Sequence, residues 1–281
     1  MTRTLRLALV LLLATSVMVV VPGEASAVVP GGIGQIVFVS DAVDPLGDIY
    51  VRDFSGSNPT PLVASSEPEY SPRWSPDGTR IAYSQAYGGP GGSDLFVIDP
   101  DGSSKKNLSN HGPGGATSIP LDWSPDGLRI LIRSDRGGQG DLWIVRPDGS
   151  DPVQLTNTPS TEAHASWSPD GTSIVYEYNS DIWLMNADGS NQRALVARPR
   201  DDAAPTWSPD GTRIAWESSF VGDRDIWVIA ADGSGTAANL TNTPTFRNTD
   251  PRWSPDGSLI AFTSNRDGDS DLWMMNSRGS D

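Results

Sequence analysis

Two polar side chains stand at the same place in a repeated pattern, and their types suit the binding of a ligand. His164 and Asp250 each precede a tryptophan by three residues. A histidine titrates near neutral pH and an aspartate accepts hydrogen bonds, so the pair could bind a polar or charged group. Tyr70 and Arg200, in segments that link the repeats, complete the set of candidate binding residues. The alternative interpretation is that all four are solvated loop residues.

The sequence contains few of the groups that catalysis or metal binding would need. It has no cysteine, which excludes a thiol nucleophile and a cysteine-bound zinc, and its only histidines are His111 and His164. It has no Gly-x-Ser-x-Gly nucleophile motif and no phosphate-binding glycine motif. The aspartate-rich run at residues 267–271 lacks the ligand spacing of a calcium loop. The sequence therefore predicts no catalytic residue, metal or cofactor, and favours a protein that is not an enzyme.

Two short blocks recur along the chain and define the elements that must position the candidate residues. Trp-Ser-Pro-Asp-Gly occurs five times, at residues 74–78, 123–127, 167–171, 207–211 and 253–257. A second block, aspartate followed by Ile or Leu and an aromatic residue, begins at residues 48, 94, 141, 181, 225 and 271. Successive copies of the second block are 40 to 47 residues apart. A repeat of this length without helical periodicity is typical of the blades of a β-propeller.

One repeat can be interpreted as four antiparallel strands. Residues 75–78, Ser-Pro-Asp-Gly, have the composition of a tight turn, with proline fixing φ at about −65° and glycine accepting positive φ. The alternating patterns at 80–84 and 94–98 predict the second and third strands. We therefore expect an all-β fold, a six-bladed propeller of four-stranded antiparallel blades at residues 34–64, 71–109, 120–156, 164–196, 204–241 and 250–281. The candidate binding residues then lie at the mouth of the central channel.

These blocks resemble the repeat of the TolB-like β-propeller family, also called the WD40-like PD40 repeat. The last copy carries the pattern almost completely, with Ile260-Ala261-Phe262 in the second strand and an Asp-Leu-Trp block at 271–273. The family's namesake also has an α/β domain ahead of its propeller, which we do not expect here. The resemblance implies an exported, non-enzymatic binding or scaffold module that makes protein–protein contacts in the cell envelope. The alternative is a glycan-binding or glycan-active propeller, lyase-like or hydrolase-like, that acts at the channel mouth.

Residues 1–27 have the pattern of a secretory signal peptide. Arg3 and Arg6 precede an apolar stretch at 7–21, and Ala25-Ser26-Ala27 forms a small-residue cleavage site. We therefore expect export to the periplasm or the cell exterior, with no membrane insertion after cleavage. The net charge of −15 argues against a nucleic-acid partner and favours a protein partner with a basic patch, while a glycan partner stays open.

The number of residues predicts that the ring of blades is short by one or two strands. Six repeats of the mean spacing need about 268 residues, whereas 254 follow residue 27. The first strand of blade 1 and the last strand of blade 6 have no counterpart in the sequence, so we expect truncation or incomplete closure. The nine tryptophans in the two blocks are expected to pack between blades, and the aspartates of the second block to accept backbone N–H groups.

Overall fold

The computed structural model describes residues 25–28, 34–40, 47–53, 58–87, 91–197, 201–219 and 223–279, and the described chain contains strands and turns without a helix. Sheet 1 contains β1 (Ala25–Val28), β2 (Gln35–Ser40), β3 (Asp48–Asp53) and β4 (Thr60–Val63). Sheet 2 contains β5 (Glu69–Trp74), β6 (Ile81–Ala86), β7 (Ser93–Ile98) and β8 (Lys106–Asn107). Sheet 3 contains β9 (Ser118–Trp123), β10 (Ile130–Ser134), β11 (Asp141–Val145) and β12 (Val153–Gln154).

The second half of the chain repeats this order. Sheet 4 contains β13 (Glu162–Trp167), β14 (Ser173–Tyr178), β15 (Asp181–Asn186) and β16 (Arg193–Val196). Sheet 5 contains β17 (Asp202–Trp207), β18 (Arg213–Ser218), β19 (Asp225–Ala230) and β20 (Ala238–Asn239). Sheet 6 contains β21 (Asn248–Trp253), β22 (Leu259–Ser264) and β23 (Asp271–Asn276). Strands follow chain order within every sheet and pair antiparallel, so each sheet is one blade and the predicted six-bladed propeller class is confirmed.

Sheet 1 has a first strand that the sequence analysis did not find. Ala25–Val28 pairs antiparallel with β2, with Ala25 opposite Phe38 and Val28 opposite Ile36. The expectation that blade 1 lacks this strand is therefore wrong, because the residues that form it were assigned to the signal peptide. The boundary of the signal peptide at residue 27 stays a prediction. In sheet 6 the described residues form three strands.

The Ser-Pro-Asp-Gly blocks form the predicted turns between the first and second strands. In the first copy the Ser75 hydroxyl donates to Asp77 (2.6 Å) and accepts from the backbone N–H of Arg80 (2.9 Å). Asp77 also accepts from the backbone and hydroxyl of Thr79. These hydrogen bonds, that from Ser75 first, lower the pKa of the Asp77 carboxyl. Gly78 has a φ of +68°, which explains why glycine closes the block.

The core lies between consecutive sheets, and the chain divides into two compact units that are described separately. The first holds the described residues up to Trp123 with Gly127–Arg136 and Val145–Pro152, and the second holds the remainder. In the first unit Trp74 packs with Ile49 of sheet 1 and Ile81 of sheet 2.

In the second unit Trp216 and Trp227 pack against sheet 4 side chains, and Trp253 and Trp273 pack in the cluster shared by sheets 5 and 6. For these block tryptophans the predicted packing between blades is confirmed. Trp216, which lies outside both blocks, is fully buried. In the part of the chain that the structure describes, no helix has the length and hydrophobicity to cross a membrane.

Candidate functional site

The position three residues before the repeated tryptophan is a β-bulge in the first strand of the blade. The pairing register with the second strand shifts there in sheets 2, 4, 5 and 6. The bulge residues Ser71, His164, Ala204 and Asp250 have φ values of +53°, +46°, +51° and +54°. This left-handed conformation costs a side-chain-bearing residue about 1–2 kcal/mol, and such strain concentrates at functional sites. The bulge therefore singles out the repeat position at which His164 and Asp250 were predicted to act.

His164 forms an ion pair with a carboxylate on the neighbouring strand when its ring is protonated. Its Nδ1 lies 2.8 Å from Oε2 of Glu177, whose backbone pairs with Ala163 across β13 and β14. The His164 side chain is 53% exposed, whereas that of Glu177 is 21% exposed. The carboxylate thus orients an imidazole that solvent or a ligand can reach.

Glu217 connects Asp250 to an arginine. Its side chain, on β18, is buried, and its carboxylate forms an ion pair with the Arg224 guanidinium and accepts the backbone N–H of Asp250 (3.0 Å). Burial raises the pKa of the Glu217 carboxyl above its ordinary value. The hydrogen bond from Asp250 and the positive charges of Arg224 and His164 lower that pKa by a smaller amount. The charge of His164 also acts on Glu217, and for this reason we consider the two ion pairs together as one candidate site.

The site cluster is defined as His164, Glu177, Glu217, Arg224 and Asp250, all within the second compact unit. Three carboxylates face one arginine and one histidine, so the cluster carries excess negative charge when the imidazole is neutral. Such a set can bind a cationic group. It also contains a carboxyl of raised pKa, Glu217, and an imidazole, His164, two groups that proton transfer can use. Among the described residues no group of three His, Cys, Asp or Glu side chains is arranged to hold a metal ion.

Two of the four predicted binding residues contact glutamates of the site cluster. His164 contacts Glu177, and the backbone N–H of Asp250 donates to Glu217. Tyr70 lies on β5, beside the bulge of sheet 2 and in the first compact unit. Arg200 lies outside the described residues. The binding role of all four residues stays a prediction.

The sequence analysis missed Glu177, Glu217 and Arg224. Glu177 and Glu217 occupy equivalent places on the second strand, opposite the residue that precedes the bulge. At that place the other sheets of this repeat carry Ser84, Arg133 and Thr263. An acidic side chain in two of five copies departs from what packing requires, and this departure is the signal that could have located them.

The other histidine has a different environment. In the first compact unit His111 Nε2 lies 3.2 Å from the hydroxyl of Ser118, which is fully buried. Ser118 also contacts the hydroxyl of Ser134 (3.1 Å) and the guanidinium of Arg136 (3.4 Å). Burial, followed by the charge of Arg136, lowers the pKa of His111. The neutral ring is held within a buried network, so we do not assign His111 to a binding site.

The fold and its repeats define the protein as a six-bladed β-propeller with polar side chains gathered at the bulges of its first strands. The chain matches the family described as the TolB beta propeller domain (PD40) over residues 33–195 and 177–281, and it belongs to that family.

Known relatives extend beyond the matched region. A protein named Protein TolB homolog from Chlorobium luteolum is 32% identical over 143 residues, covering 50% of this chain and 31% of that protein. The chain spans less than half the length of the first curated relatives it matches.

Two solved structures share the fold. TolB from Acinetobacter baumannii has a TM-score of 0.68 at 21% identity, covering 89% of this chain and 63% of the other. An oligogalacturonate lyase in complex with manganese has a TM-score of 0.62 at 19% identity, covering 88% of this chain and 72% of the other. At these identities the likeness supports the propeller fold and carries no assignment of activity.

Proposed function

We propose that this protein is an exported, non-enzymatic propeller that binds a protein partner in the cell envelope or outside the cell. The observation that carries the proposal is the pair of contacts in the site cluster: His164 with Glu177 in sheet 4, and Glu217 of sheet 5 with Asp250 of sheet 6, all at positions that the repeat leaves variable. Variable positions on a regular scaffold are where recognition is placed. A relative named Tol-Pal system protein TolB, from Anaeromyxobacter dehalogenans, suggests that the family serves such an envelope system.

The charge of the cluster indicates what the partner presents to it. Glu177, Glu217 and Asp250 outnumber Arg224, and the whole chain has a net charge of −15. A lysine or arginine of a basic partner patch would replace the missing positive charge and hydrogen-bond to the carboxylates. We expect association to weaken as salt rises, because screening reduces the attraction between the charged surfaces.

A double variant tests the site without disturbing the bulges. His164→Asn and Asp250→Asn remove the imidazole and a carboxylate, and asparagine tolerates the left-handed φ of both residues. Partners are captured from an envelope extract with the immobilised protein, quantified by mass spectrometry, and the enriched protein is then purified for titration. We expect the double variant to lose at least tenfold in affinity for that purified partner.

The matched control is Asp151→Asn, at an exposed aspartate that also has positive φ (+52°) and belongs to the first compact unit. It removes the same charge at the same backbone conformation, and its affinity should equal that of the wild type. If the double variant and the wild type bound the partner with equal affinity, the partner would not bind at the site cluster.

A second candidate function rests on Glu217, a buried carboxyl whose pKa is also influenced by the charge of His164. A buried carboxyl of raised pKa near an imidazole is a feature of acid–base sites, and a glycan-active propeller would use it. The purified protein is incubated with a polysaccharide panel with and without manganese, and released oligosaccharides are measured. Product formation that Glu217→Gln abolishes would overturn the non-enzymatic proposal, and absence of product throughout would reject this second candidate.

A further inference from the structure

The loop that links sheets 5 and 6 exposes an aromatic side chain. It consists of residues 240–247 and joins β20 to β21, the strand that carries Asp250 of the site cluster. Phe246 in this loop is 36% exposed, more than any other aromatic residue in the part of the chain that the structure describes. Aromatic residues are enriched where proteins bind other proteins, because burying a ring removes a large apolar area from water. Phe246 is therefore a candidate contact for a partner protein.

Hydrogen bonds hold the loop in place directly after Phe246. The backbone N–H of Arg247 donates to the side-chain oxygen of Asn265 (2.7 Å), and the carbonyl of Arg247 accepts the N–H of Asn265 (3.3 Å). The N–H of Asn248 donates to the carbonyl of Arg224 (2.7 Å), a residue of the site cluster. A side chain carried by an ordered loop loses less conformational entropy when a partner binds, which favours affinity.

Phe246 occupies a position of the repeat that packing leaves variable. The residue four positions before each of the four bulge residues is Glu67, Ser160, Arg200 or Phe246. Acidic, hydroxyl, basic and aromatic side chains share no property that the fold would require. Variable positions on a regular scaffold are where recognition is placed, so this position can determine which partner binds.

The distance from Phe246 to the site cluster sets the spacing of a ligand that contacts both. Asp250 follows Phe246 by four residues, so their Cα atoms are at most about 14 Å apart. An extended polypeptide advances about 3.3 Å per residue and directs alternate side chains to the same side, so two side chains four residues apart are separated by about 13 Å and face one surface. The excess negative charge of the cluster favours a cationic side chain at one of these places, and the Phe246 ring favours an apolar side chain at the other.

We propose that this protein binds an extended segment of its partner in which an arginine or lysine contacts the carboxylates of the site cluster and an apolar side chain four residues away packs on Phe246. The inference rests on the proposed function and specifies the chemistry of the partner at the same site. The cationic side chain supplies the positive charge that the cluster lacks and hydrogen-bonds to the carboxylates. The apolar side chain covers the exposed ring and removes it from water.

A phage-displayed library of random dodecapeptides, selected on the immobilised full chain, serves as the probe. Selected peptides are synthesised, labelled with fluorescein and titrated with the purified protein by fluorescence anisotropy. We expect them to share an arginine or lysine and an apolar residue four positions apart, in either order. A selection that enriches no peptide, or that enriches peptides without this pair, would overturn the proposal.

Paired variants measure the contribution of the ring. Phe246→Ala should weaken binding of the selected peptide at least tenfold, whereas Leu128→Ala, which truncates an apolar side chain of a 63% exposed residue in the first compact unit, should not. Replacing the apolar residue of the peptide with serine should weaken its binding to the wild type by the same factor and should cost Phe246→Ala no further affinity. Equal effects of the serine replacement on the wild type and on Phe246→Ala would contradict the contact. Because Phe246 is exposed, urea unfolding of Phe246→Ala should match that of the wild type, which excludes loss of binding through unfolding.

The double variant His164→Asn and Asp250→Asn distinguishes this inference from the proposed function. Both require that the double variant binds the selected peptide at least tenfold more weakly than the wild type. Loss of binding in the double variant, with full binding by Phe246→Ala, would overturn the inference and leave the proposed function standing. Loss of binding in Phe246→Ala, with full binding by the double variant, would contradict the cationic contact and with it both.

Discussion

Carboxylates of this protein have opposite pH behaviour according to their surroundings. The turn aspartates are ionised acceptors of several hydrogen bonds, and these bonds lower their pKa values. Glu217 is buried, and burial raises its pKa although it contacts Arg224. The turn aspartates stabilise the fold when they are charged, whereas ionisation of Glu217 opposes folding. The residue type alone therefore does not predict what a carboxylate contributes to stability.

For the turn aspartates we predict a loss of stability in acid, and Asp210→Asn should remove the part of this loss that Asp210 contributes. The Asp210 carboxylate accepts from Ser208 (2.6 Å) and twice from Thr212 (3.0 and 2.8 Å), which lowers its pKa from 3.8 to about 2. The stabilisation is complete above pH 3.8 and is lost as the pH falls towards 2. Because the side chain is exposed, we expect a difference of only about 1 kcal/mol at pH 6.

Urea unfolding of wild type and Asp210→Asn at pH 2, 3, 4 and 6 measures this effect. The difference in unfolding free energy should shrink as the pH falls below 4. A difference that stays constant over this range would show that the hydrogen bonds to the carboxylate do not depend on its charge.

For Glu217 we predict the opposite slope. Its folded-state pKa is raised above the ordinary value of 4.5, so the unfolded chain binds fewer protons in the pH range above 4.5. Stability from this group therefore falls as the pH rises through that range. The variant Glu217→Gln should gain stability relative to the wild type between pH 4 and pH 7, as measured by urea unfolding. The control is Glu177→Gln, which changes a more exposed carboxylate. If the unfolding free energy of both variants depended equally on pH, burial of Glu217 would not be the cause.

At the scale of residues, the sequence analysis named two of the five residues of the site cluster. His164 and Asp250 could be found because the repeated tryptophan fixes their position. Glu217 could be noticed only by comparing the copies of the repeat, because it and Glu177 are acidic where the other sheets have Ser84, Arg133 and Thr263. The sequence does not show that the fold buries its carboxyl. Arg224 precedes the Asp block, where the other five copies have Ser or Gly, and this exception was the signal that the sequence analysis missed.

At the scale of elements, the positions of the strands are predicted almost entirely from the turn residues and the spacing of the repeat. The second and third strands are long and alternate, so their positions follow from the sequence. The fourth strands β8, β12 and β20 have two residues each, too few for a period. Their position is fixed by hydrogen bonds from the side-chain amides of Asn107, Gln154 and Asn239 to the aspartate that begins the third strand. Backbone N–H groups also donate to these three aspartates, as the sequence analysis predicted.

The contact between sheets 4 and 5 depends on a tryptophan that no repeat block contains. Trp216 is fully buried, stacks on Trp227 at 6.4 Å, and donates its indole N–H to Asp202 (3.0 Å). We predict that Trp216→Phe lowers the unfolding free energy by about 2–4 kcal/mol, because it leaves a cavity and removes a donor from a buried carboxyl. Trp183→Phe, at a partly exposed ring, should cost less. Equal losses in urea unfolding would show that burial of Trp216 does not decide its contribution.

At the scale of the whole molecule, the first strand and the predicted export signal compete for the same residues. β1 consists of Ala25–Val28, and signal cleavage after Ala27 would leave only Val28 of it. The signal pattern was recognised from charge and hydropathy, whereas a four-residue strand has no comparable signature in the sequence. The pairing of β1 with β2 was therefore not predictable, because it depends on a partner strand rather than on local pattern.

We predict that export removes β1 and that its loss weakens sheet 1. Expression of the full chain in a secreting bacterial host, followed by intact-mass measurement, should give a mature protein that starts at Val28. A chain of residues 28–281 should then unfold at lower urea concentration than one of residues 23–281, because strand β2 loses the backbone hydrogen bonds opposite Val37 and Phe38. At about 1 kcal/mol for each bond lost, the difference should be about 2 kcal/mol. A mature protein that retains Ala25 would contradict the cleavage site, and equal stability of the two chains would show that β1 adds nothing to the blade.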